Sequence, residues 1–433
     1  MKKLNTAPIS GMQELLPAEQ ATFDQLKHQI SQTFKLHGFQ NIETPTIDRT
    51  EILCAKAGGD TEKQIYKVVK TAETASDADQ ALRFDHTVPL ARYVVEHQND
   101  LAFPFKVTQI GRNFRGERAQ KGRFREFYQC DVDIVGRSQL PLAYDAEVIA
   151  TLFAALQTFL TSPMRIRLSN RKILSGLLSE LNLADHAAQL FNIIDHAEKN
   201  SPEQTKSALF ELGLLDDQIK KLTDFMAIRG SRAQVVLELR KLGVNHQEFR
   251  QGVEELEQVM QLLEAQNLGD YIVADMLIIR GLDYYTGTVF ETLLVDYPRI
   301  GSVCSGGRYD NLASHYTDQL LPGVGGSIGL TRLFYVLNEN NLLKNQVEQP
   351  LEVAIVPISS AEYDFCFKLA AKLRLSNRSV DLILLDKKLS NKLTYAAKIA
   401  RHAIVVGENE AKSGQIMVKD LTSGALMNLD EYL

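Results

Sequence analysis

The chain is predicted to be α+β, and three features of its hydrophobic pattern say so. Strand-like runs flank polar turns near residues 102–136 and again in the 270s to 290s. A block of helix-period sequence separates those runs between about Arg171 and Asn267. Beyond residue 350, apolar strands and amphipathic helices alternate. With 433 residues, two or three domains are expected, since one core rarely serves more than about 250 residues.

Taken in order, TFDQLKHQISQTFKLHG sets Leu26, Ile30 and Phe34 at i, i+4 and i+8 and stops at Gly38, which predicts a helix with one apolar stripe. FQNIETPTIDRTEIL is β-branched but carries Pro45, which suits an edge or interface strand. From Ala102 to Gly136 two strand-like runs flank GERAQKG, a long hairpin. The helical block holds LSGLLSELNLADHAAQLFNIIDHAEKN, QVVLELRKLG and FRQGVEELEQVMQLLEAQ. Strand character returns with MLIIRGLDYYTGTVFETLLVD, where turn residues around Gly287 predict a second hairpin. GVGGSIGLTRLFYVLNEN reads as a Gly-rich turn entering a helix. A boundary falls near KNQVEQP. LEVAIVPI, FCFKLAAKLRL, VDLILLD, LTYAAKIA and AIVVGE then spell βαβαβ.

Composition narrows the function classes. Hydrophobic residues make up 45% and charged residues 24%, ordinary for a globular protein, and no apolar run approaches the roughly 20 residues of a membrane helix. Lys2 and Lys3 are not followed by the apolar stretch of a signal peptide, so a cytoplasmic, non-membrane protein is expected. Cys54, Cys130, Cys304 and Cys366 are scattered without zinc or disulfide spacing and are read as thiols; no protein metal site from cysteines or histidines is expected. The formal charge of −6 gives no global polyanion footprint, so any nucleic-acid surface must be local.

One such local patch is RNFRGERAQKGRFR, Arg112 to Arg125, with six Arg or Lys against the single acid Glu117. It is either a solvated hairpin tip or a polyanion site. In RFREFYQCDVDI, alternation puts Phe124, Tyr128, Cys130, Val132 and Ile134 on one face and Arg125, Gln129, Asp131 and Asp133 on the other. The second face suits a zwitterionic ligand or plain solvent. Arg280 ends an apolar run, either as an ion-pair partner of Asp283 or Glu291 or as a ligand-binding cation. Tyr284 and Tyr285 are core aromatics or pocket walls. GSVCSGGRYDNL would let backbone approach a flat ligand, or form a turn before a helix. The Gly323–Gly329 spacing, G-x-G-x-x-x-G without a surrounding βαβ unit, argues against a dinucleotide fingerprint. Arg332 follows it, placed to reach a phosphate near the glycines.

Together these segments resemble the class II aminoacyl-tRNA synthetases, and within them the histidyl-tRNA synthetase family, over essentially the whole chain. GFQNIETPTIDRTEI is similar to the class's first motif, FRGERAQKGRFREFYQCDVDIVG to its second and GVGGSIGLTRLF to its third. RGLDYYTG and SGGRYD resemble the two histidine-specific segments, and GENEAKSGQIMVKDLTSG the anticodon-binding domain. The resemblance implies a catalytic domain on an antiparallel sheet flanked by helices, in two parts (residues 1–168 and 266–345), a helical insertion (169–265) and an α/β anticodon-binding domain (350–433). LRFDHT carries Asp85 where many bacterial members have Glu, so the block looks closer to the archaeal and eukaryotic form.

Carried over position by position, the resemblance implies catalytic roles for Arg280 and Arg115 at the ATP α-phosphate. Arg332, Glu117 and Arg123 complete the ATP site. Asp85, Thr87 and Gln129 would receive the α-amino group of L-histidine, Asp133 and Tyr285 its imidazole, and Tyr309 would line that pocket. Arg118 and Gln120 would meet the tRNA acceptor stem. ATP with Mg²⁺, L-histidine, tRNA(His) and a second copy of the chain in a homodimer are the implied partners. The insertion is expected to hold tRNA rather than edit, because a site that hydrogen-bonds its substrate already discriminates. Two rival readings share the core: a non-charging regulatory paralogue that binds histidine, and a small adenylate-forming amide ligase. Such paralogues typically lose active-site arginines or the terminal domain, whereas Arg115, Arg280 and Arg332 are present here. The amide ligase would not need a terminal domain carrying DKKLSNKLTYAAKIAR, five basic residues against one acid.

Overall fold

The computed structural model describes residues 3–55, 63–72, 78–279, 284–343 and 351–432. Two compact units emerge, Met1–Glu14 with Leu26–Lys344, and Leu15–Gln25 with Asn345–Leu433. The helix expected from Thr22 begins earlier, as Pro17–Leu36, and Leu26, Ile30 and Phe34 are all buried along it.

In the larger unit the strands are β1 (Gln40–Asn41), β2 (Ile47–Arg49), β3 (Lys67–Val68), β4 (Gln80–Leu82), β5 (Phe105–Phe114), β6 (Glu126–Val135), β7 (Met164–Asn170), β8 (Arg229–Gly230), β9 (Ile272–Asp275), β10 (Thr288–Leu294), β11 (Cys304–Tyr309) and β12 (Gly323–Ile328). Nine of them form one sheet, in the order β1-β5-β6-β12-β11-β10-β7-β9-β8. Every neighbouring pair is antiparallel except β1–β5 and β7–β9. The Pro45 segment divides between two edges: β1 closes this sheet, and β2 lies outermost in a small β2-β4-β3 sheet. Proline has no amide to donate, which is why pairing breaks between them.

Helix Ala143–Gln157 packs on β12 and is buried along most of its length, including Asp145. Its carboxylate would be costly there alone; Arg308 of β11 supplies the cation, with Nη2 2.6 Å from Oδ1. The predicted helical block forms Arg171–Glu180, Ala187–His196, Pro202–Glu211, Asp216–Met226, Arg232–Lys241 and Gln247–Ala265. Its last helix lies against Arg171–Glu180, helix Ala143–Gln157 and β7.

Four local expectations need correction. MLIIRGLDYYTGTVFETLLVD is not a hairpin: β9 stops at Asp275, and β7 lies between β9 and β10. GVGGSI is not a turn but β12, a central strand, and SGG likewise lies inside β11. Phe124 precedes β6, so the alternation does not reach it, and its ring meets Tyr335 edge-on.

In the smaller unit β13 (Leu351–Pro357), β14 (Val380–Leu382) and β15 (Ala400–Val406) are parallel, as the βαβαβ pattern predicts. The antiparallel hairpin β16 (Met417–Asp420) and β17 (Leu426–Asn428) extends them to a five-stranded sheet. No helix among the described residues is long and apolar enough to cross a membrane.

Candidate active site

β6 carries Gln129, Asp131 and Asp133 on one face, two residues apart, because strand side chains alternate. That face is neither solvated nor apolar: it forms one wall of a cavity of about 310 Å³. The register sets Ser327 of β12 beside Asp131 and Gly325 beside Asp133, while β11 brings Ser305 beside Ser327 and Gly307 beside Gly325. Asp85, Thr87, Tyr285 and Tyr309 complete the chamber. All six residues expected around histidine therefore line one cavity.

Acid dominates its electrostatics. Burial pushes the Asp133 carboxyl up to about 8, against the hydrogen bond it accepts from Tyr309 Oη at 2.7 Å, and Asp131 and Asp85 add to the rise. Burial also raises Asp85, although its Oδ1 accepts from the Val88 amide at 3.0 Å at the start of helix Thr87–His97. Tyr284, Tyr285 and Tyr309 are all held above the ordinary phenol range, first by burial and then by neighbouring charges and dipoles, so they stay protonated donors. Tyr284 packs edge-on against both other rings. A buried group of carboxyls with phenols is matched by a ligand that brings positive charge and N–H donors.

A second chamber of about 290 Å³ opens from the first. Arg115, Gln129, Ser302, Ser305 and Ser327 belong to both, so they stand at the junction. Glu117, Arg123 and Arg332 line the second chamber and not the first. Arg115 follows β5 and is fixed by its environment: its guanidinium lies 4.3 Å from the Phe84 ring and 5.1 Å from Phe127, and Nε donates to the Phe84 carbonyl. Arg332 donates through Nη2 to the Ile300 carbonyl. Burial and then Arg123 lower its pKa, with Glu117 opposing them, yet a guanidinium remains charged. Glu117 lies 3.5 Å from Arg123. Two arginines close enough to repel each other beside open space suit a polyanion such as a triphosphate.

Arg118 and Gln120 are exposed and line neither chamber; Gln120 and Arg123 close a tight turn at Gly122, which has φ +73°. Arg280 lies outside the described residues. Glu291, considered above as its partner, lines the acidic chamber and pairs with Arg167 at 2.7 Å. Residues given no role from sequence also line the cleft: Asp131, Ser327, Glu291 and Phe127. Asp131 and Phe127 share the alternating face with Gln129, a signal present in the sequence. Nothing local marked Ser327, which belongs to a strand read as a turn.

A largely antiparallel sheet that bears an acid-lined chamber opening into an arginine-lined one is the catalytic architecture of a class II aminoacyl-tRNA synthetase. Residues 11–333 match the family model described as histidyl-tRNA synthetase, and residues 352–432 match an anticodon binding domain. A histidine–tRNA ligase of Clostridium tetani is 44% identical over 440 residues, covering 100% of this chain and 99% of its relative. The crystal structure of a histidyl-tRNA synthetase from Nostoc sp. PCC 7120 superposes with a TM-score of 0.87 at 35% identity, covering 99% of this chain and 97% of the other. A Bacillus halodurans protein described as an ATP phosphoribosyltransferase regulatory subunit/histidyl-tRNA synthetase shares the fold at a TM-score of 0.77 and 23% identity, over 94% of this chain and 100% of that one. The chain belongs to the histidyl-tRNA synthetase family.

Proposed function

We propose that this chain is a histidine–tRNA ligase, which joins L-histidine to ATP as histidyl-adenylate and passes the histidyl group to the terminal adenosine of tRNA(His). The observation that carries this reading is the junction: Arg115 and Gln129 stand where an acidic, donor-rich chamber meets an arginine-lined one. Histidine in the first chamber directs its carboxylate toward the α-phosphate of ATP in the second. An oxygen of that carboxylate attacks phosphorus in line, pyrophosphate leaves, and charge builds on the equatorial oxygens, where Arg115 stabilises it. A ribose hydroxyl of the tRNA then attacks the acyl carbon and AMP departs. No protein nucleophile is needed.

In this reading Asp85, Thr87 and Gln129 take the ammonium, Asp133 with Tyr285 reads the imidazole, Tyr309 holds Asp133, and Arg332, Arg123 and Glu117 serve the rest of ATP. Arg280 is assigned to the α-phosphate on the family resemblance alone. Among the described residues no group of three or more His, Cys, Asp or Glu could hold a metal, and Glu117 is the one carboxylate lining the arginine chamber. Mg²⁺ fits here as a companion of the ATP phosphates, which supply most of its oxygen ligands and whose charge it offsets. Arg118 and Gln120, exposed beside the cleft, meet the acceptor stem; residues 169–265 hold tRNA and 350–433 read its anticodon. The chain works in the cytoplasm as a homodimer, for which the exposed edge strand β1 offers a pairing surface.

A non-charging paralogue is not favoured, because the ligase at 44% identity is matched along its whole length. ATP–pyrophosphate exchange tests the reading. Exchange that requires histidine is expected; folded protein that exchanges with no amino acid would overturn it. Aminoacylation of tRNA(His) lacking its extra 5′ guanosine then tells how the acceptor end is read.

A further inference from the structure

Asp131 is 4% exposed and lies one alternation away from both Gln129 and Asp133, yet nothing in the mechanism uses it. Both of its oxygens are taken. Oδ1 accepts from Ser327 Oγ, and Oδ2 lies 2.9 Å from His86 Nδ1. His86 is 1% exposed, and its other nitrogen makes no hydrogen bond, so Asp131 is the imidazole's polar anchor. Ser327, with its proton committed to Asp131, is left as an acceptor, and Gln129 Nε2 donates to it at 2.7 Å. At the other end of that carboxamide, Asn113 Nδ2 donates to Gln129 Oε1 at 2.7 Å.

The chain has one direction because its root has one chemistry. A carboxylate only accepts, so Ser327 must donate to it, Gln129 must present its NH₂ to Ser327, and the Gln129 carbonyl must face Asn113. An amide on its own flips between two nearly isosteric states, and a root that could both donate and accept would leave that flip open. Gln129 stands at the junction of the two chambers. Fixing its flip fixes which atoms meet a ligand there: a second lone pair on Oε1 and a second N–H on Nε2. The first suits an ammonium and the second an anionic oxygen.

We propose that Asp131 is a positioning residue for amino-acid binding, acting through Ser327 to hold the Gln129 carboxamide in a single orientation while His86 holds Asp131. This rests on the acid-lined chamber being the histidine site. Asp131 thereby contributes to histidine capture without touching histidine.

The test is ATP–pyrophosphate exchange with histidine and ATP varied separately, on the intact chain and on Ser327→Ala, Asp131→Asn and the double variant, each checked for retained melting temperature. Ser327→Ala and Asp131→Asn should each raise the histidine KM about tenfold, the scale of losing one buried charge-assisted hydrogen bond, while the ATP KM moves less than about threefold. The double variant should be no worse than the poorer single one, because both changes cut the same chain. Multiplicative losses would show Asp131 acting on histidine directly and overturn the proposal. So would a histidine KM left unchanged by Ser327→Ala, or histidine and ATP constants rising together. An unsubstituted chain that fails to exchange with histidine would overturn the underlying reading as well, which separates that failure from this one.

Discussion

Asp133 shows at the scale of one residue how a binding site costs stability. An unfolded chain ionises this carboxyl near the ordinary aspartate value of about 4. Burial holds it protonated up to about 8 in the fold, with the neighbouring Asp131 and Asp85 adding to the effect of desolvation. The folded state therefore binds more protons than the unfolded state between those values, and stability falls as pH rises through that window. Asp133→Asn removes the titration while keeping an oxygen for Tyr309. The variant should match the parent in melting temperature near pH 4 and exceed it progressively toward pH 8, and it should lose histidine activation. A melting-temperature difference independent of pH would contradict this account.

At the scale of the element, the floor of the cleft explains why two central strands look unlike strands. A Cβ on Gly325 would sit 1.9 Å from Asp133 Oδ1, one on Gly323 would meet the Tyr309 ring at 2.2 Å, and one on Gly307 would meet the Tyr285 ring at 3.0 Å. Each of these glycines lies beneath a side chain that lines the acidic chamber. Gly325→Ala should accordingly lower histidine-dependent exchange by at least about 100-fold, as misplacement near 1 Å costs in enzymes generally, with strand content by circular dichroism retained. Activity within about threefold of the parent would show that Asp133 can move aside without loss.

The same glycines mark what was legible. The hairpin β5–β6 reads directly, because Gln129, Asp131 and Asp133 alternate with Cys130, Val132 and Ile134, and period two needs no tertiary knowledge. β11 and β12 do not read, because glycine is a poor strand former and its reason here is a neighbouring strand's side chain. The MLIIR to GTVFE segment misleads in another way. Two apolar runs around a glycine signal a hairpin, but β9 ends before the first of them, and β7, more than a hundred residues upstream, lies between β9 and β10. Families of motifs, rather than periodicity, brought Tyr309 and Arg332 to the cleft.

The larger unit as a whole is tied together by a cation that no local pattern singles out. Arg167 lies in β7, 5% exposed in its side chain, and pairs with Asp275 of β9 at 2.9 Å, with Glu291 of β10 at 2.7 Å, and with Glu198 in the helical block. These partners are 108, 124 and 31 residues away, which is why MRIRLSN gives no sign of them. Desolvation works against the charge, but Glu198, Asp275 and Glu291 outweigh it and hold the guanidinium above its ordinary value. Glu291 also lines the acidic chamber, so one side chain connects the helical block, three strands and the cleft wall. Arg167→Ala would leave Asp275, itself 1% exposed, relying on the half-exposed Arg229 at 3.2 Å. Breaking such a buried pair costs on the order of 3 kcal/mol, or roughly 100-fold in local opening. Hydrogen exchange read by mass spectrometry should therefore accelerate by about that factor in the amides of β7, β9 and β10, while β13 and β15 of the smaller unit stay at their parent rates. Arg167→Lys should recover part of the protection, since it restores the charge but not the fork that reaches several carboxylates at once. Histidine KM should rise in the alanine variant, because Glu291 loses one of the groups that holds it at the chamber wall. If exchange in these strands were unchanged, the cluster would be dispensable and the helical block would be held by its other contacts, such as that of Asn170 with Glu255.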